Sequence, residues 1–133
     1  MKHKAIGNLD VAQQLINKKE PRFFTASIHC SYYAVFQYMK YMLAHTEVNP
    51  ISYSLQKDYS QSQSSHDYLI DQIKQRINKP RDARDFAQDV RALKKNRVDA
   101  DYEVREFNLD ESLECRQQAE GLISKLKRYF GDR

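Results

Sequence analysis

Apolar residues recur along most of this chain at the three- and four-residue spacing of amphipathic α-helices. No segment of useful length alternates between apolar and polar residues, as a β-strand would. A short first helix is predicted by the spacing of Ala5, Leu9, Ala12, Leu15 and Ile16. Pro21 suits the first turn of a second helix, which is expected to end near His45. The chain has only 3 Gly and 3 Pro, which favours few, long elements. The pattern therefore predicts an all-α fold.

The second predicted helix is the most distinctive segment, because it is apolar on nearly every side. Between Arg22 and Leu43 it contains neither Gly nor Pro, and most of its polar positions are small. It also holds seven of the chain's fifteen aromatic residues, namely Phe23, Phe24, Tyr32, Tyr33, Phe36, Tyr38 and Tyr41. Such a helix must be covered nearly all round, either by a surrounding bundle or by a second subunit.

Residues 46–65 are polar and include the low-complexity run SYSLQKDYSQSQSS. We expect a loop here, and loops of this length in compact domains are often functional or disordered. Three further helices are predicted: one from Ser64 or Ser65 to Ile77, one from Pro80 to about Asp101, and one opened by a capping box of Asn108 and Glu111. Five helices with mostly short connections predict an up-and-down four-helix bundle with one additional short helix, forming a single domain over residues 1–133.

Composition narrows the function classes. The chain has a mean hydropathy of -0.82, and Gln37 and Lys40 interrupt its longest apolar run, so no membrane span is expected. The N-terminus lacks the apolar core of a signal peptide, which favours a cytoplasmic protein. Cys30 and Cys115 are too few for a disulfide framework and are expected to be reduced and structural. The four histidines show no metal-binding spacing, so neither a metal nor a cofactor is predicted.

The net charge of +4 is unevenly placed, because the end of the third helix and most of the fourth carry nine basic residues and three acids. Arg84, Arg91 and Lys95 fall on one stripe of the fourth helix, which would suit contacts with phosphates. The alternative is a solvated helix face on which Asp85 and Asp89 act as ion-pair partners.

Arg97 stands in a different position on the fourth helix. The apolar spacing of Phe86, Val90 and Leu93 continues to position 97, so Arg97 is expected to share their face of the helix and point toward the core. An arginine cannot lose its charge, and its burial therefore requires a partner or a functional cleft. Asp101, one turn later, is the candidate partner. The alternative to a functional role is an ion pair that only fixes packing.

Three segments resemble the HEPN superfamily of small helical bundles. ASIHCSYYAVFQYMKYML (Ala26 to Leu43) resembles the family's helix with a Tyr-Tyr-Ala core, and LKKNRVDADYEV (Leu93 to Val104) resembles its Arg-then-Ala-Asp-Tyr signature. SHDYLI (Ser65 to Ile70) resembles the histidine-containing start of the family's middle helix. The order and spacing match small stand-alone HEPN proteins over nearly the whole chain after Pro21.

The resemblance implies a bundle that is usually a homodimer, with the signature arginines near a cleft between subunits. Many members are metal-independent ribonucleases, often toxins paired with a minimal nucleotidyltransferase antitoxin. Their motif places a histidine five residues after the arginine, whereas Tyr102 stands five residues after Arg97 here. Tyrosine is a poor general base near neutral pH. His66 is the candidate replacement imidazole, and the alternative is a surface histidine at the start of a helix. His29 is expected to be a satisfied core histidine.

Three functions follow as hypotheses. The first is an RNA- or nucleotide-binding protein of a toxin–antitoxin or defence system, with weak or absent ribonuclease activity. The second is an interaction module that pairs with a nucleotidyltransferase through its aromatic helix. The third is an active ribonuclease. The predicted catalytic residues are Arg97, Tyr102 and His66, and the predicted nucleic-acid contacts are Arg84, Arg91, Lys95 and Asn96.

Overall fold

Six α-helices make up most of the computed structural model, which describes residues 1–131 apart from the side chain of Ser62. They are α1 (Lys2–Asn17), α2 (Pro21–His45), α3 (Tyr53–Tyr59), α4 (Ser65–Gln75), α5 (Pro80–Tyr102) and α6 (Leu109–Phe130), with a 3-10 turn at Ser60–Ser62. No strand occurs within residues 1–131. The all-α prediction is confirmed, but the described residues form six helices rather than five, and the predicted up-and-down four-helix bundle is not confirmed. None of the described helices is both long and apolar enough to cross a membrane.

The second helix, α2, is the centre of the fold and packs against each of the other five helices. Pro21 occupies its first turn, as expected, and the helix ends where Thr46 adopts an extended backbone. Tyr32, Tyr38 and Met39 in its middle are completely buried. The bundle of a single chain therefore covers most of the apolar surface of α2, and this surface does not itself require a second subunit.

The predicted loop at residues 46–65 is wrong in part, because it contains α3 and the 3-10 turn. Ser52 starts α3 as its N-cap, and its hydroxyl accepts a hydrogen bond from the backbone N–H of Leu55 at 3.3 Å. Polar composition alone does not prevent a helix when a cap is present and one residue can be anchored to the core.

Gln56 is that anchor. Its side chain is buried, and its Nε2 donates hydrogen bonds to the carbonyl oxygens of Lys40 at 3.1 Å and Ile51 at 2.8 Å. These bonds join α3 to α2 and to the chain just before α3. A buried amide that satisfies backbone acceptors across the fold leaves no apolar periodicity in the sequence, so the pattern could not reveal it.

The capping box predicted at the start of the last helix is confirmed. The backbone N–H of Glu111 donates to Asn108 Oδ1 at 2.8 Å, and the backbone N–H of Asn108 donates to Glu111 Oε1 at 3.1 Å. Arg105 adds a salt bridge of 2.8 Å to the same glutamate. Pro80 likewise opens α5, which reaches Tyr102, one residue beyond the predicted end.

Replacing Leu126 with alanine should lower the free energy of unfolding by about 2–5 kcal/mol, because this leucine is fully buried on α6 and its loss leaves a cavity. The matched control is Leu55→Ala on α3, where the side chain is exposed and the cost should stay within about 0.5 kcal/mol. Urea unfolding followed by circular dichroism measures both. Equal losses for the two variants would contradict the packing described here.

Candidate functional site

Arg97 lies on the inner side of α5, with 11% of its side chain exposed. Its Nη1 donates to Oδ2 of Asp101 at 3.2 Å, so the expected ion pair within α5 is present. Its Cζ also lies 5.4 Å from the ring centre of Tyr32 and 5.5 Å from that of Tyr33. The guanidinium is thus held by a carboxylate and by the faces of two aromatic rings, which restricts its orientation.

His66 sits near the start of α4 and enters the same group of aromatic rings. Its Nδ1 lies 2.5 Å from the hydroxyl of Tyr32. The centre of its ring is 4.5 Å from that of Phe36 and 6.0 Å from that of Tyr33. His66 and Arg97 therefore contact the same two tyrosines, so the structure brings together two of the three predicted catalytic residues.

The surroundings of His66 keep its imidazole neutral. Burial lowers its pKa to about 4, and the positive charges of Lys94 and Arg97 act in the same direction, while Asp67 opposes them. Burial also raises the pKa of the Tyr32 hydroxyl, which stays protonated. With its proton on Nε2, the neutral His66 accepts a hydrogen bond from Tyr32 at Nδ1. A group that binds a proton this weakly is a poor general base near neutral pH.

His29 is not the core histidine that the sequence suggested, because 47% of its side chain is exposed. Its Nδ1 lies 3.2 Å from Oδ1 and 3.1 Å from Oδ2 of Asp101, the residue that also binds Arg97. Its ring centre is 4.6 Å from that of Tyr33. We call this group the Arg97 cluster, and its members are Arg97, Asp101, His29, Tyr32, Tyr33 and His66.

Sequence reasoning missed the contact between His29 and Asp101 because 72 residues separate them. The only sequence signal was that His29 stands one helical turn before Tyr33 and therefore shares a face of α2 with it. That signal places His29 beside Tyr33 but says nothing of α5, which brings the carboxylate.

Tyr102 lies outside the Arg97 cluster. It is the last residue of α5, and 78% of it is exposed. Five residues along an α-helix correspond to a rotation of about 140°, so its Cα faces away from that of Arg97. Asp101, only about 40° from Arg97, is the residue that meets α2. A role for Tyr102 in binding or chemistry stays a prediction.

The predicted basic stripe on α5 is partly neutralised by acids other than the expected ones. Arg91 pairs with Asp71 of α4 at 3.4 Å, and Lys95 pairs with Asp99 at 3.0 Å. Arg84 is exposed. These residues lie outside the Arg97 cluster, and their contact with nucleic acid stays a prediction.

Asn96 lies beside a cavity of about 170 Å³ that is also lined by Ile28, Phe107, Glu111, Glu114 and Cys115. Two carboxylates at this cavity make it a poor place for a phosphate, and Asn96 is therefore the least favourable of the predicted contacts.

Both cysteines are free thiols, as expected, and burial raises the pKa of Cys115 to about 11.

These observations define a class of protein, a helical bundle that gathers one guanidinium and two imidazoles at the junction of α2, α4 and α5. The family model of the HEPN domain matches residues 1–129 of the 133-residue chain. The chain belongs to the HEPN domain family, and the resemblance inferred from its three motifs is confirmed. No curated protein and no solved structure matches it.

The ring of His66 should titrate with a midpoint near pH 4, well below the ordinary 6.5. As the pH falls, the unfolded chain binds this proton before the folded chain does. Protonation of His66 therefore has no effect on stability above about pH 6.5, and it lowers stability progressively as the pH falls from about 6.5 to 4. NMR of the ring proton gives the midpoint, with His66→Gln identifying the signal. In unfolding experiments the wild type should lose stability relative to His66→Gln over this range, and a midpoint near 6.5 would contradict the prediction.

Proposed function

We propose that this HEPN protein binds single-stranded RNA through the Arg97 cluster, with Arg97 contacting a phosphate of the backbone. The observation that carries the proposal is the meeting of Arg97, His66 and His29 around Tyr32 and Tyr33, at the edge of the bundle. Membership of the HEPN family supports a ribonuclease-type or interaction role. A free nucleotide would present the same phosphate chemistry and is the smaller ligand that fits this proposal.

The electrostatics of the cluster support phosphate recognition. The guanidinium of Arg97 is largely withdrawn from water, where its attraction for an anion is screened less than at the surface. Asp101 accepts from Nη1, and Nη2 makes no hydrogen bond to a described residue and is left for a ligand, whereas Nε is buried and unpaired. Lys94 adds a second positive charge beside His66, although Asp67, 4.0 Å away, partly offsets it.

We further propose that any ribonuclease activity is metal-independent and slow, and that the protein acts in a toxin–antitoxin or defence system. Cleavage that relied on either of the two residues predicted to replace the family's histidine should be slow, because both are poorly suited to the task. His66 is a weak base, and Tyr102 is exposed and points about 140° away from Arg97 around α5.

The rival proposal, a module that docks a nucleotidyltransferase-type partner through the aromatic residues of α2, has less support. Those residues are largely covered by the other helices of the same chain, so α2 offers little apolar surface to a partner. A homodimer, as the family resemblance implies, remains a proposal, and sedimentation equilibrium of the purified chain tests it.

Arg97→Ala should weaken binding of a labelled single-stranded RNA by about tenfold or more, because it removes a charged hydrogen bond to a phosphate worth about 1.5–3 kcal/mol. It should also make the affinity less dependent on salt. The matched control is Arg128→Ala, which removes the same charge from an exposed position on α6 and should change the affinity less than about twofold. Fluorescence anisotropy at several salt concentrations measures both effects.

Arg97→Lys keeps the charge without the planar fork and should give an intermediate affinity. Circular dichroism must show that each variant is folded under the binding conditions. Wild-type protein without salt-dependent RNA binding, or equal affinities for Arg97→Ala and Arg128→Ala, would overturn the proposed function.

A further inference from the structure

His29 has the position of a catalytic base, although the HEPN motif in this chain carries tyrosine where the family has histidine. We propose that His29 is the general base of metal-independent RNA cleavage at the Arg97 cluster and that Asp101 orients it. This inference rests on the RNA binding and metal-independent cleavage proposed above and adds to them a catalytic residue that the sequence motifs do not contain.

The geometry of the pair supports this role. Asp101 approaches Nδ1 of His29 with both oxygens, at 3.1 and 3.2 Å, so the proton of the neutral ring is held on Nδ1. Nε2, which then carries the lone pair, makes no hydrogen bond to any described residue, and 47% of the side chain faces solvent. A carboxylate behind an imidazole with one free nitrogen is the arrangement that fixes the tautomer of catalytic histidines.

Asp101 also connects the base to the residue that would bind the phosphate. Its Oδ2 accepts from Arg97 at 3.2 Å and lies 3.1 Å from His29 Nδ1. Tyr33 packs against both, with its ring centre 4.6 Å from that of His29 and 5.5 Å from Cζ of Arg97. A phosphate bound to Arg97 would therefore bring the adjoining ribose close to His29. A general base must lie close to the 2′-hydroxyl whose proton it takes.

The proposed step is an in-line attack within the RNA strand. The 2′-hydroxyl gives its proton to Nε2 of His29, and its oxygen forms a bond to the adjacent phosphorus. The bond from phosphorus to the 5′ oxygen breaks, and this oxygen takes a proton from water. The hydroxide that remains takes the proton from His29, which restores the neutral ring. The products are a 2′,3′-cyclic phosphate and a 5′-hydroxyl. Asp101 stabilises the imidazolium that forms, and Arg97 stabilises the negative charge that builds up on the phosphoryl oxygens.

His66 is the competing candidate for the base. Its Nδ1 already lies against the Tyr32 hydroxyl, and Lys94 and Arg97 both disfavour its protonation. The ring of His66 contacts Phe36 and the two tyrosines, whereas the ring of His29 contacts the carboxylate of Asp101. Of the two imidazoles, His29 is the one with a carboxylate at hydrogen-bonding distance, so the reaction should depend on His29 more than on His66.

The test is cleavage of a 5′-labelled single-stranded RNA by the full chain in the presence of EDTA, with RNA binding measured on the same samples. His29→Asn retains an amide donor for Asp101 but has no basic nitrogen. It should reduce the cleavage rate by about 100-fold or more, while the dissociation constant for RNA changes less than about threefold. The matched control is His3→Asn, an exposed histidine on α1, which should cleave at the wild-type rate.

Chemical rescue separates catalysis from structure. His29→Ala opens space at a half-exposed site, so added imidazole should restore part of its cleavage but none of that lost in Arg97→Ala. RNA with a single 2′-deoxy nucleotide at the cleaved position should bind but remain intact, because the attacking group is missing. These results together would support His29 as the base.

The remaining outcomes overturn the inference in distinguishable ways. Salt-dependent RNA binding by the wild type without any cleavage would refute the role of His29 and leave the binding function standing. Wild-type cleavage that survives in His29→Asn but not in His66→Asn would assign the base to His66. Parallel loss of cleavage and binding in His29→Asn would make His29 a binding residue. Absence of RNA binding by the wild type would remove the proposed function itself.

Discussion

The need to cover α2 on nearly all sides is the constraint on which the rest of the structure depends. Its large apolar side chains run around the helix, and each would lose the favourable burial of its surface if left in water. The other five helices pack against α2 and supply this cover. Polar groups in the N-terminal half of α2 can therefore meet α4 and α5 at the edge of the bundle. The Arg97 cluster lies at this edge.

The cluster combines charge with low exposure, which is costly unless the charges have partners. Arg97 is balanced by Asp101, and Asp101 also contacts His29 across the gap between α5 and α2. Tyr33 packs against both His29 and His66, and Tyr32 packs against His66. The site is therefore held by packing and by shared polar contacts together, so the same carboxylate that supports the fold also orients the groups proposed to act on RNA.

Most of the fold could be predicted because its information is local. Apolar spacing indicated α2, α5 and α6, and the capping box of Asn108 with Glu111 and the prolines at positions 21 and 80 marked where helices begin. The helix α3 could not be predicted, since its main anchor is Gln56, whose partners lie on α2 and just before α3. A polar residue buried by hydrogen bonds to distant backbone leaves no periodic signal.

The sequence by itself determined the all-α class, the need to cover α2 on nearly all sides, and the inward direction of Arg97, because each follows from the spacing of residues along a helix. It also indicated the HEPN family, through short motifs in the right order. Only the tertiary structure decided which groups share the site. It brought in His29, placed His66 against Tyr32 and left Tyr102 outside. These contacts join side chains on different helices, and packing geometry, rather than local periodicity, sets the distances between them.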